Sequence, residues 1–167
     1  MLVKPTLDPF SWALIKLRRG RIRAPCVLDR VPRVSVVIAC DNYGHYLRQC
    51  VDSVTRDQPG IEVEVIIVDD KSTDDSIAVA RSIKDCDERV RLILHEQIKG
   101  HIATYNDGLD AATGEFVLLL SADDLATPGA LTHAAELLVA EPSVGAVFGN
   151  AFQRRFACEP HRWKKLD

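Results

Sequence analysis

The sequence predicts an α/β domain in which a mostly parallel sheet carries helices on both faces. Short apolar segments alternate along the chain with segments of helical periodicity, an order typical of strand–helix–strand units with right-handed crossovers. Residues 116–120 are apolar without interruption, as expected for a strand buried on both faces. With 167 residues, of which 47% are hydrophobic, the chain is long enough to form a core.

The predicted elements follow one another from residue 33 onward. Ser72 with Asp75 three residues later, and Thr127 followed by Pro128, are typical of helix N-termini. The predicted strands are residues 34–38, 62–68, 89–94, 116–120 and 144–148. The first two predicted helices are residues 46–54 and a segment that starts at Ser72. The third has the apolar stripe Ile102, Tyr105, Leu109 and Ala112, and the fourth runs from Thr127 to Pro142 with Leu131, Ala134 and Leu138 facing inward.

Charge and periodicity divide the chain into a basic leader (residues 1–32), a domain (33–150) and an irregular tail (151–167). Residues 1–33 contain eight Lys/Arg and two Asp, whereas residues 34–167 contain 13 Lys/Arg and 22 Asp/Glu. The acidic field of the domain opposes binding of nucleic acid, and it suits a phosphate ligand only together with a divalent cation. For the leader two interpretations stay open, peripheral contact with an anionic membrane surface or a solvated terminus.

The cysteines and histidines form no site by their spacing. The five cysteines are scattered and odd in number, which predicts reduced thiols and therefore a cytoplasmic protein. If the leader binds lipid, we expect the protein at the inner face of the membrane. The five histidines lack metal-site spacing and a nucleophile partner. We therefore expect the histidines on the surface or at helix ends.

Two pairs of adjacent aspartates follow two different predicted strands. Asp69-Asp70 comes after residues 62–68, and Asp123-Asp124 comes shortly after residues 116–120. The carboxyl ends of parallel strands meet at one edge of a sheet, and α/β sheets bind their ligands at that edge. Adjacent carboxylates repel each other unless water, a donor or a cation meets them. Either pair could be a strand-to-helix cap, but two pairs at this edge favour a ligand site.

Three segments in this order resemble a known family. They are VSVVIACDNYGHYL (residues 34–47), VIIVDDKSTD (65–74) and GEFVLLLSADD (114–124). Together they resemble the nucleotide-sugar-binding half of the family 2 glycosyltransferases, which have the GT-A fold, a Rossmann-like arrangement. The resemblance covers roughly residues 33–150, and three ordered motifs are more specific than any one of them.

The resemblance implies a donor, a metal and a set of site residues. Such enzymes bind a nucleoside-diphosphate sugar with Mg²⁺ or Mn²⁺ and transfer the sugar with inversion to an acceptor hydroxyl, here of an unknown glycan, lipid or other molecule. By resemblance, Asp70 accepts from the base, and the loop with Ala39 and Asp41 lies against it. Asp123 meets the ribose or the sugar, and Asp124 holds the metal that bridges the phosphates.

Several positions depart from the pattern of the family. Ala39 and Asp41 replace a proline and an aromatic residue of the first loop, which removes a stacking face for the base. Lys71 stands where glycine is common, and a positive φ there would strain it. Tyr105 stands where arginine is frequent, which removes a cation that could face the donor.

No residue of the chain matches the catalytic base of the family, so we assign none. The interpretations that remain are an inverting glycosyltransferase and a truncated or non-catalytic remnant that binds nucleotide sugars without the base. A nucleotidyltransferase is disfavoured because the first strand lacks a Gly-rich loop with Lys or Arg.

Overall fold

The computed structural model describes residues 30–149, together with the backbone of residues 2–3, 152–153 and 164–165. The leader segment for which membrane contact is one of the two open interpretations, and most of the tail, lie outside the described residues. In the described part of the chain, no helix is long and apolar enough to cross a membrane.

The mostly parallel sheet that the sequence predicts is present. The strands are β1 (Leu2–Val3), β2 (Arg33–Cys40), β3 (Glu62–Asp69), β4 (Val90–Leu94), β5 (Phe116–Ser121), β6 (Ala146–Val147), β7 (Phe152–Gln153) and β8 (Lys164–Lys165). The sheet has the order β4-β3-β2-β5-β1-β6, in which β2, β3, β4 and β5 run parallel. β1 lies between β5 and β6 and is antiparallel to both, and β7 pairs with β8 separately.

Helices cover both faces of the sheet, as predicted. They are α1 (Gly44–Thr55), α2 (Ser76–Cys86), α3 (His101–Ala111) and α4 (Ala130–Ala140). α1, α2 and α4 bury their apolar sides in the larger core on one face of the sheet. α3 lies over β2 and β3 on the other face, where the smaller core contains residues of β2, β3 and β5.

α3 approaches the sheet closely because its inner side consists of small residues. A Cβ atom at Gly108 would overlap the Val37 side chain of β2. The predicted apolar stripe of this helix is therefore wrong in part, since Ile102 is 70% exposed and Leu109 is 38% exposed. Thr104 and Gly108 are the residues of α3 that are buried.

Two predicted helix starts differ from the structure. α2 begins at Ser76, four positions after the predicted cap Ser72. Thr127-Pro128 opens a turn rather than a helix, because the N–H of Ala130 donates to the Thr127 carbonyl (3.1 Å) and Gly129 has φ 72°. Proline followed by a residue with positive φ is typical of a type II turn, and α4 starts after it.

The order of the strands creates a topological switch point between β2 and β5. From β2 the chain moves outward to β3 and β4, and it then returns through α3 to β5 on the other side of β2. At this reversal of strand order, beyond the carboxyl ends of the strands, open α/β sheets bind ligands.

Candidate functional site

β2, β3 and β5 end at the same level of the sheet. Cys40 in β2 pairs with Asp69 in β3, and Ala39 in β2 pairs with Ser121 in β5. Beyond these pairs the N–H of Asp70 still donates to the Cys40 carbonyl (2.9 Å). Both aspartate pairs thus leave the same edge of the sheet, one on each side of β2.

The loops after β2 and β3 are joined by hydrogen bonds. The N–H of Asn42 donates to Ser72 Oγ (2.9 Å), and the N–H of Thr73 donates to Asn42 Oδ1 (2.8 Å). Asp74 accepts from the N–H of Gly44 (3.1 Å) through Oδ2. Ser72 therefore supports the loop after β2 instead of capping α2, which corrects its predicted role.

Backbone strain occurs in both of these loops. Asn42 and Lys71 each have φ 60°. Lys71 thus has the positive φ that glycine adopts without strain, and for a residue with a side chain this conformation costs about 1–2 kcal/mol. Asp41 is exposed, and its Oδ1 accepts from Asn42 Nδ2 (2.8 Å), while Ala39 is partly exposed at the end of β2.

Asp70 is buried, and both of its carboxylate oxygens have partners. Oδ1 accepts from the N–H of Lys99 (2.8 Å) and lies 2.7 Å from His95 Nδ1, and Oδ2 accepts from the N–H of Gly100 (2.8 Å). Burial by itself would raise the pKa of Asp70, but these hydrogen bonds outweigh it and hold the pKa below its ordinary value. The carboxylate thus ties the loop between β4 and α3 to the end of β3.

His95 is also buried, which corrects the expectation of surface or helix-end histidines for this residue. It directly follows β4, and its N–H donates to the Asp69 carbonyl (3.0 Å). Its Nε2 lies 2.8 Å from Asp107 Oδ2, and the Lys99 ammonium donates to the same oxygen (2.7 Å). The sequence analysis missed this group, although the position of His95 at the carboxyl end of a predicted strand was a signal for it.

Asp123 and Asp124 are exposed at the switch point. Ser121 Oγ donates to Asp123 Oδ1 (2.5 Å), and the N–H of Asp124 closes a turn on the Ser121 carbonyl (3.0 Å). Partial burial and then the negative charge of Asp123 raise the pKa of Asp124 above its ordinary value. Among the residues that the structure describes, no Lys or Arg forms a salt bridge with this pair, so a cation would stabilise it.

Tyr105 of α3 reaches towards this pair. Its side chain is half-buried against the smaller core of the sheet. Burial, followed by the charges of Asp124 and Asp123, raises the pKa of Tyr105. A phenol, which remains a neutral donor, therefore lies in the field of the two carboxylates.

Comparison with known proteins identifies the family. Residues 35–166 match Glycosyl transferase family 2. The chain belongs to this family. A relative is the GalNAc(5)-diNAcBac-PP-undecaprenol beta-1,3-glucosyltransferase of Campylobacter jejuni, 33% identical over 121 residues, or 72% of this chain and 38% of that protein. The succinoglycan biosynthesis protein ExoO of Rhizobium meliloti is 35% identical over 112 residues, or 67% of this chain and 31% of that protein. The family 2 chain thus spans less than two fifths of either relative.

Solved structures confirm the GT-A fold of this family 2 chain. The mannosyltransferase PcManGT from Pyrobaculum calidifontis, in complex with GDP-Man and Mn²⁺, has a TM-score of 0.60 and 26% identity, over 66% of this chain and 33% of that chain. S. aureus TarS in complex with UDP-GlcNAc has a TM-score of 0.60 and 26% identity, over 66% of this chain and 32% of that chain.

The chemistry of the Asp123-Asp124 pair fits a hard divalent cation. Within the residues that the structure describes, no three His, Cys, Asp or Glu side chains come together as a complete metal site. Mg²⁺ is commonly held by one or two carboxylates plus the phosphates of the substrate, so an incomplete set of protein oxygens is compatible with it. A cation beside Asp124 would oppose the partial burial and the charge of Asp123 that raise the pKa of this carboxyl.

Proposed function

We propose that this chain forms the donor-binding part of a metal-dependent family 2 glycosyltransferase. The exposed Asp123-Asp124 pair at the switch point carries the proposal, because its uncompensated charge suits a metal–diphosphate group. The mannosyltransferase solved with GDP-Man and Mn²⁺, and TarS solved with UDP-GlcNAc, support a nucleotide sugar as the ligand. The family match supports glycosyl transfer as the reaction.

Each predicted site residue has a role in this proposal. Asp124 holds Mg²⁺ or Mn²⁺, which when bound neutralises the diphosphate and stabilises it as a leaving group. Asp123 accepts hydrogen bonds from the ribose or the sugar. Ala39 and Asp41 flank the base. Asp70 faces the base with the remaining lone pair of Oδ2, since its other contacts are made within the protein.

The proposed reaction is transfer of the sugar with inversion at the anomeric carbon. The acceptor oxygen forms a bond to that carbon while the bond to the phosphate oxygen breaks, and the nucleoside diphosphate leaves. The hydroxyl proton passes to a base that we assign to no residue of this chain. The name of the Campylobacter jejuni relative specifies an undecaprenol-linked substrate, which supports a glycan or lipid-linked hydroxyl as the acceptor here.

We also propose that the protein works in the cytoplasm, at the inner face of the membrane. The basic leader supports this, because Lys and Arg near an anionic lipid surface each contribute about 1 kcal/mol of binding. Sedimentation with vesicles of phosphatidylglycerol and phosphatidylcholine tests it. The full chain should sediment with the vesicles at low salt and be released at high salt, whereas a chain that stays in the supernatant at low salt would exclude this contact.

Calorimetric titration with UDP, GDP and dTDP, each with and without Mn²⁺, tests the donor site. We expect one of these nucleotides to bind in the presence of Mn²⁺ and Asp124→Asn to weaken that binding at least about tenfold, because the metal ligand is lost. Asp110→Asn is the matched control, since Asp110 is an exposed aspartate on α3. It should bind as the wild type does.

Two outcomes would contradict this function. If the folded wild type binds none of the nucleotides, with or without Mn²⁺, the chain has no donor site. If Asp124→Asn binds with the affinity of the wild type, Asp124 is not the metal ligand. Nucleotide binding without transfer to any acceptor would instead support the non-catalytic interpretation.

A further inference from the structure

A buried histidine joins two carboxylates beside the proposed nucleotide site. The side chain of His95 is 2% exposed, and its two ring nitrogens lie 2.7 Å from Asp70 Oδ1 and 2.8 Å from Asp107 Oδ2. The bridge therefore links the end of β3 to α3 across the loop that precedes this helix. None of the roles proposed above uses His95.

Both ring nitrogens need a proton to satisfy this geometry. A neutral imidazole has one N–H and one lone pair, so one of its nitrogens would face a carboxylate oxygen as a second acceptor. The doubly protonated ring donates to both carboxylates and neutralises part of their charge. Lys99 is the other cation in the group, and its ammonium donates to Asp107 (2.7 Å). The contacts therefore favour the imidazolium form.

The charged ring acts on Asp70 together with the backbone. Asp70 Oδ1 is shared between the ring and the N–H of Lys99, while Oδ2 accepts from the N–H of Gly100. Loss of the ring proton would leave either Asp70 or Asp107 facing a lone pair, and the carboxylate would turn or the loop would move. Because α3 begins at His101, such a movement would also shift the first turn of the helix that carries Tyr105.

We propose that His95 is a positioning residue of the nucleotide site, and that its doubly protonated form is required for full donor affinity. The inference rests on the proposed function, because Asp70 affects affinity only if the donor lies against it. The groups that face His95 are Asp70 at the end of β3, Asp107 on α3 and, through Asp107, Lys99 in the loop.

¹⁵N NMR of the full chain, labelled at histidine, tests the charge state directly. At neutral pH we expect the His95 ring to show two protonated nitrogens, assigned by the disappearance of its signals in His95→Gln. In Asp107→Asn the ring loses one anionic partner, and its signals should move towards those of a neutral ring. A neutral His95 ring in the wild type at neutral pH would overturn the proposal.

Nucleotide affinity tests the positioning role. Asp107 is partly exposed, so Asp107→Asn is expected to fold, and it should bind the nucleotide selected above, with Mn²⁺, about tenfold more weakly than the wild type. Asp110→Asn, on the same helix, should bind as the wild type does. His95→Gln, whose neutral amide cannot donate a charged hydrogen bond to both carboxylates, should also bind more weakly than the wild type.

The outcomes separate this inference from the proposed function. If the wild type binds no nucleotide, the donor site itself is absent and both proposals are overturned. If the wild type binds but Asp107→Asn and His95→Gln bind equally well, the donor site stands and the role of His95 is overturned.

Discussion

The two aspartate pairs have the same sequence and leave the same edge of the sheet, yet their surroundings are opposite. Asp69 is 1% exposed and Asp70 is 4% exposed. Asp69 Oδ1 accepts from the N–H of Ser72 (2.9 Å), and Asp70 has the partners described above. Asp123 and Asp124 are exposed, and the charge of each is opposed by its neighbour. The contacts of the first pair are made mostly within the protein, whereas the carboxylates of the second pair are open to solvent.

The position of each strand explains this difference. β3 lies between β2 and β4, and the loop after β4 folds over its carboxyl end, where the N–H groups of Lys99 and Gly100 donate to Asp70. β5 lies at the switch point, and the two aspartates that follow its carboxyl end are exposed. The contacts of a carboxylate pair thus depend on the neighbours of its strand, and the dipeptide alone does not decide.

Replacement of Asp70 should have the largest effect. Asp70→Ala removes the acceptor of the Lys99 and Gly100 N–H groups and one partner of the buried His95 ring, which costs about 3–5 kcal/mol of unfolding free energy. Urea denaturation followed by circular dichroism measures this cost. If the cost were below about 1 kcal/mol, comparable to that of an exposed charge, the contrast between the pairs would fail.

Lowering the pH should reduce the stabilisation that the ionised Asp70 carboxylate provides. The pKa of Asp70 is lowered in the folded protein, so its stabilisation is fully present above the ordinary aspartate pKa of about 3.9 and is lost as the pH falls through the folded value. The unfolding free energies of the wild type and Asp70→Ala should therefore converge as the pH is lowered below about 4. A difference that stays constant over this range would show that the charge of Asp70 contributes nothing.

Much of the fold could be predicted from the sequence, because strand periodicity is a local property. The apolar segments predicted the order of the strands along the chain. The ends of these segments predicted the edge of the sheet at which both aspartate pairs lie. The roles of Ser72 and His95 could not be predicted in this way, since their partners Asn42, Asp70 and Asp107 come from other loops and from α3. The distinction between the two pairs depends on the same distant contacts.

The buried side of α3 shows the same limit within a single helix. Large apolar residues at helical spacing predicted an inner stripe with Ile102 and Leu109. The structure instead places Gly108 against Val37, since only a residue without a side chain permits this approach. Periodicity detects large residues, whereas close packing of a helix on a sheet selects small ones.

Asp69→Asn tests whether the two buried carboxylates contribute equally to stability. Asp69 Oδ2 has no hydrogen-bond partner among the described residues, while Oδ1 can be replaced by the amide oxygen of asparagine. We expect a change of less than about 1 kcal/mol, because the bond to Ser72 is kept and a buried charge is removed. Urea denaturation beside Asp70→Ala measures it, and an equal loss in both variants would mean that the two carboxylates stabilise the edge as one unit.

The smallest effect is expected at Asp124, and its sign is opposite. The pKa of Asp124 is raised in the folded protein, so its ionisation destabilises the fold as the pH rises through the folded value. Asp124→Asn removes this repulsion and should increase the unfolding free energy at neutral pH by no more than about 0.5 kcal/mol, because water screens an exposed pair. Mn²⁺ should remove the difference by stabilising the wild type alone. A loss of stability in Asp124→Asn without metal would mean that the Asp124 carboxylate, like that of Asp70, already has stabilising partners within the protein. That result would contradict the proposed cation site at this pair.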